Sequence, residues 1–169
     1  HALYRLYTAT NEQCFLNSAQ ELMPMDWFDQ KDSLDVSWRA GATGIGLAWL
    51  DTLALLDNRK AHSMVQTALG RCLSASLSGP DQVCSGIAGR LDFLVEASER
   101  GYGSYLLTVA RKQAGWSIIR AKRNSGFYLH PHLPAGAFLR GFYEGLAGIG
   151  YEFLRLAFPG KLPSVLLWS

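Results

Sequence analysis

Cys84 stands two residues ahead of Gly86 in "QVCSGIAGRLDFL", residues 82–94, so a thiol precedes a Gly-x-x-Gly turn and an apolar run. A thiol in that place is a metal ligand, a reactive nucleophile or an inert side chain. A helix N-terminus and a neighbouring cation both favour the thiolate, and Arg39, ahead of another such turn, is the cation expected beside it. On that reading Cys84 reacts with iodoacetamide faster than Cys14 or Cys72. "HPHLP" at 130–134 puts His130 and His132 on one side of an extended segment, because Pro131 blocks a helix. Without a third ligand in the sequence, it reads as an exposed loop.

Asp35 and Asp92 lie near two glycine turns with no visible partner to tune a catalytic pKa, and read as helix-capping or surface carboxylates. Trp38 and Trp49 flank the first turn and suit either contact with a bound peptide or ordinary core packing. The run "RKQAGWSIIRAKR", 111–123, carries five basic residues on one predicted helix. Such a run either grips an acidic partner or solvates an outer face, and the second fits a helix with an apolar opposite side.

The elements that must position these groups are helices of two kinds. Residues 11–23, 59–75 and 103–122 have apolar positions at three-to-four spacing with polar residues between, the pattern of half-buried helices. The first is expected to stop at Pro24. In the second, Ala61, Met64, Val65, Ala68, Leu69, Cys72 and Leu73 share a face; in the third, Leu106, Val109, Ala110, Trp116 and Ile119 point inward. Residues 40–56, 85–98 and 144–158 are each opened by glycines, and the first and third are apolar nearly all round, which predicts burial on both sides. No strand alternation intervenes, so the class is all-α.

The glycine pairs Gly41 and Gly44, Gly86 and Gly89, and Gly145 and Gly148 recur at the spacing of a two-helix unit. Such units stack on one another to bury a face that none can bury alone. The glycines let the chain turn sharply into the helix, through positive φ or close backbone approach. The free N–H groups of each first turn are then expected to face the ring centre and attract anions or carbonyls.

The 169 residues are 49% hydrophobic and 18% charged, which fits one packed domain over 1–169 and excludes disorder. A net charge of +2 gives no reason to expect nucleic acid or an acidic membrane surface as the main partner. Three widely spaced cysteines predict free thiols in a reducing cytoplasm, and no apolar stretch reaches the length of a membrane span.

"SWRAGATGIGLAWL", "VCSGIAGRLDFL" and "GFYEGLAGIGYEFLRLAFPGKLPSVLLW" resemble the lanthionine synthetase C-like cyclases, in particular the C-terminal cyclase region of class II lanthipeptide synthetases, the LanM type. The resemblance runs from His1 to Trp168. It implies an α/α toroid of seven helix pairs, of which this chain supplies roughly the last three and a half. It also implies a zinc ion that activates a precursor peptide's cysteine thiol for addition to dehydroalanine or dehydrobutyrine, closing a thioether ring.

Measured against that family, the first ligand motif, Trp-Cys-x-Gly, reads Trp38-Arg39-Ala40-Gly41, and the second, Cys-His-Gly or Cys-Cys-Gly, reads Cys84-Ser85-Gly86. Cys84 is the one ligand retained, with Arg39 and Ser85 at the other two ligand positions. The family's Ser-His-Gly-x-x-Gly motif, with its acid/base histidine, is expected just before His1, leaving no catalytic residue in the chain. The resemblance therefore implies a truncated, degenerate cyclase region, inactive alone, with zinc absent or weakly held. A non-catalytic peptide-binding or assembly module is the alternative. The expected partners are a precursor peptide, and the remaining toroid half or a second copy.

Overall fold

The computed structural model describes residues 2–22, 35–55, 59–134 and 136–167. Seven α-helices and no strand occur among them: α1 (Ala2–Thr10), α2 (Gln13–Leu22), α3 (Ala42–Thr52), α4 (Arg59–Ser74), α5 (Ile87–Glu99), α6 (Tyr105–Arg123) and α7 (Leu146–Ala157). The all-α class holds. The expected ends at Met23, Pro24 and Leu56, like His1 and Trp168, lie outside the described residues. No described helix is long and apolar enough to cross a membrane.

Helix pairs form from neighbours in sequence: α1 packs on α2, α3 on α4, and α5 on α6. Asn11, with φ of 57°, separates the first pair in the left-handed conformation that asparagine tolerates better than most residues. Across the pairs, α5 packs between α3 and α7, so the glycine-opened helices stand side by side as an inner layer, with α4 and α6 outside. This is the two-layered arc expected of an α/α toroid. The core follows the alternation: α4 buries Ala61, Met64, Val65, Ala68, Leu69 and Cys72 and exposes its other side, whereas α5 is buried continuously from Ile87 to Ala97. Gly46 allows the closest crossing, since a Cβ there would run into the Phe93 ring and the Ala68 methyl.

Two expectations about faces are corrected. On α6 the inward side carries Leu106, Ala110, Gln113, Ala114, Ser117 and Ala121, while Trp116 is 38% and Ile119 53% exposed. The cause is polar: Ser117 donates 2.5 Å and Arg120 2.6 Å to the buried Asp81 carboxylate, which also accepts the Tyr128 N–H, and these bonds set the rotation of the helix. The Arg120 guanidinium then covers the Trp116 ring at 4.5 Å. The other correction concerns α7, which is not buried on both sides. Leu154 is 51% exposed, and Phe158 just past the helix 57%, because the described chain packs on α7 through α5 and α6.

Candidate functional site at the three glycine turns

Each inner helix is entered by the same loop, folded back over the helix start. The residue after the first glycine donates its N–H to a carbonyl seven residues upstream: Ala42 to Asp35 at 3.0 Å, Ile87 to Pro80 at 2.9 Å and Leu146 to Leu139 at 2.8 Å. Gly44 and Ala88 likewise donate to Ser37 and Asp81. These five of the expected anion-attracting N–H groups are thus spent inside the loops.

The first glycine of each pair is extended, with φ of −122°, −119° and −131°, so positive φ is not the reason for glycine. Close approach is. A Cβ on Gly44, Gly89 or Gly148 would overlap the carbonyl oxygen of Trp38, Val83 or Phe142, and one on Gly41, Gly86 or Gly145 would meet the same loop's backbone.

These loops bring Arg39, Cys84 and Tyr143, each two residues before a first glycine, into one strip. Arg39 N–H donates to the Cys84 carbonyl at 3.2 Å, and Cys84 N–H donates to the Tyr143 carbonyl at 2.8 Å. Trp38 and Tyr143 close the strip with parallel rings, 5.3 Å between centroids and 10° apart in plane. Tyr143 and Glu144 were not singled out in the sequence. The signal was available, because they occupy in the third turn the places that Cys84 and Ser85 occupy in the second.

Burial pushes the Cys84 thiol up from its ordinary pKa; Arg39 works in the opposite direction, and Glu144 adds to the rise. The expected thiolate is therefore not favoured, because burial, with the Glu144 carboxylate, outweighs what Arg39 offers. Cys72 is buried beside the Thr43 hydroxyl at 3.4 Å, and burial pushes its thiol to about 11. Cys14 is exposed.

Ser85 Oγ accepts 2.8 Å from Gln82 Nε2, while Gln82 Oε1 accepts the Ser85 N–H at 2.9 Å. As a donor set for zinc, Arg39, Cys84 and Ser85 do not fit: one thiol faces a hydroxyl already engaged by an amide and a guanidinium that offers only protons. Among the described residues no group of three or more His, Cys, Asp or Glu side chains is arranged to hold a metal. His130 and His132 sit in an exposed turn, His132 N–H donating to His130 Nδ1 at 3.3 Å. Asp35 accepts the Ser37 N–H at 2.7 Å and so braces the first loop from an exposed position.

Trp38 and Trp49 meet at one cavity of ≈ 480 Å³, lined also by Arg39 and Gly44. Trp49 is buried in the core and Trp38 half-buried. The structure thus joins the two tryptophans to the turn, giving each a packing role and a cavity wall.

Asp92 is not a surface group. It lies buried on α5, paired with Arg155 Nη1 of α7, while Ser164 Oγ donates to its other oxygen at 3.0 Å. Arg155 also reaches Glu96 at 2.5 Å and Glu152 at 3.4 Å. Burial lifts the Asp92 carboxyl to about 6 and, with the charge of Asp92, the Glu152 carboxyl to about 9. Arg100 bridges Glu96 at 3.5 Å to Asp51 at 3.4 Å, and Arg5 of α1 pairs with Asp51 at 2.9 Å. An ion-pair chain therefore ties the three glycine-opened helices, α3, α5 and α7, to one another and to α1. Its members Asp51, Glu96 and Arg155 stand two helical turns beyond the second glycine of their pairs.

A family model described as lanthionine synthetase C-like protein matches residues 2–167. No curated protein gives a significant match.

Proposed function

The chain belongs to the lanthionine synthetase C-like family, and from that premise we propose that residues 1–169 are a partial, degenerate cyclase region of the LanM type that does not cyclise peptides by itself. The observation that carries this is the Arg39–Cys84 pairing. The family's toroid turns are present and aligned by backbone hydrogen bonds, yet the residue beside the retained cysteine is a guanidinium. A cation in that place opposes a second cation, and a neutral thiol with raised pKa is a poor zinc ligand. Zinc is accordingly absent or held weakly, and the activity that remains to the turns is holding a precursor peptide without reacting it.

Metal content by elemental mass spectrometry, followed by incubation with a dehydrated precursor peptide and zinc, tests this. The expected result is zinc well below stoichiometry and no loss of peptide thiols above the uncatalysed rate. Near-stoichiometric zinc together with thiol loss overturns it.

One observation favours a second role, assembly with the remaining half of a toroid or with another copy. The exposed side of α7, with Leu154 and the following Phe158, is apolar where the other inner helices are covered. Light scattering that finds only monomer at high concentration overturns the self-association arm.

A further inference from the structure

We infer that the cavity beside Arg39 receives an apolar side chain of a bound peptide whose neighbouring carboxylate pairs with the Arg39 guanidinium; this deepens, and rests on, the peptide-holding reading above. The cavity has a closed and an open end. Leu47, Trp49 and Leu167 at one end are buried, while Arg39 and Ala40 at the other are exposed. At ≈ 480 Å³ it falls within the range of about 300–1,000 Å³ typical of small-ligand sites.

Its walls commit the occupant's chemistry. Among the described lining residues Arg39 is the only charged one, and no lining carboxylate balances it. Several other arginines are engaged: Arg5, Arg100, Arg120 and Arg155 reach carboxylates, and Arg90 caps the carbonyls of Ala75 and Ser76. Among the described residues the Arg39 side chain has no hydrogen-bond or ion-pair partner, although it lies within electrostatic range of the Cys84 thiol. A guanidinium at the rim of a largely apolar cavity is matched by a carboxylate in two-pronged pairing, and the floor by hydrocarbon. A neutral apolar segment leaves the cation unmatched. A segment with only acidic residues puts charge against the tryptophan and leucine walls.

The test is isothermal titration calorimetry on the full chain with an acetylated, amidated Gly-Phe-Glu-Gly peptide, its Gln-for-Glu counterpart and free hydrocinnamate. Arg39 is exposed, so Arg39→Gln keeps the fold. The Glu peptide is expected to bind, and either the Gln peptide or Arg39→Gln to weaken it about tenfold. Ala48→Phe, which fills the cavity, is expected to abolish binding while circular dichroism stays unchanged.

Equal affinity for the Glu and Gln peptides, or binding untouched by both variants, overturns the inference. Hydrocinnamate binding while both peptides fail overturns it in favour of a small-molecule site. Zinc-dependent cyclisation in the earlier experiment overturns the degenerate-cyclase reading and leaves this binding result standing, so the two failures are told apart.

Discussion

Arg155 of α7 inserts its guanidinium between Asp92 and Glu96 of α5, burying one cation among three carboxylates when Glu152 is counted. Burial opposes the charge on Arg155, but Asp92, Glu152 and Glu96 outweigh it and hold the guanidinium more firmly protonated than usual. Arg155 Nε also donates to the Leu162 carbonyl, and Asp92 holds Ser164, so the same cluster fastens the segment after α7. Arg155→Met removes the positive charge that, among the described residues, alone is bonded to Asp92 and Glu152. It is expected to destabilise the fold by about 3–5 kcal/mol in urea unfolding. A loss below about 1 kcal/mol contradicts the assignment.

Glu152 predicts the pH dependence. Burial, with the charge of Asp92, raises its pKa from the usual 4.5 to about 9, and among the described residues its Oε1 has no hydrogen-bond partner. The native state therefore holds a proton that the unfolded chain has released, and stability falls as pH rises from about 4.5 to 9. Asp92 adds the same sign over the lower range, up to about 6. Melting temperature measured from pH 6 to 10 is expected to decline, and Glu152→Gln to flatten the decline while preserving stability at pH 7. Cys72 and Tyr4, also raised by burial, contribute in the same direction in both proteins, so the difference isolates Glu152.

The three thiols are expected to react with iodoacetamide in the order Cys14, Cys84, Cys72, by exposure and by the rise to about 11 at Cys72. Peptide mapping over time reads it. Arg39→Gln is expected to slow Cys84, and Glu144→Gln to speed it, because one lowers and the other raises its pKa. Cys84 outpacing Cys14 restores the thiolate expected from the sequence.

Glycines divide by surroundings. Gly44→Ala forces a Cβ into the Trp38 carbonyl and is expected to destabilise by about 1–3 kcal/mol. Gly70, in the exposed side of α4 with nothing within 4 Å, is expected to gain about 0.5–1 kcal/mol on change to Ala. Thermal unfolding of both variants checks the contrast, and equal effects contradict the close-approach reading.

Much of this architecture was legible beforehand. Apolar periodicity located α4, and the run of apolar residues after Gly41 located α3, because burial on one side or both leaves its mark residue by residue. The three glycine pairs announced a repeated entry into an inner layer. Trp116 and Ile119 misled, since apolar spacing alone ranked them above Ser117, whose inward position depends on Asp81, 36 residues away.

The sequence by itself determined the helices, their alternation and the three turns, because those depend on local spacing and on a missing Cβ. Only the tertiary structure decided which charges meet. Asp92 looked like a surface acid until Arg155, 63 residues on, was placed against it. Arg39 and Cys84 became neighbours only when two loops joined through a backbone hydrogen bond. A charge's fate depends on what crosses it from another helix, and no local pattern encodes that register.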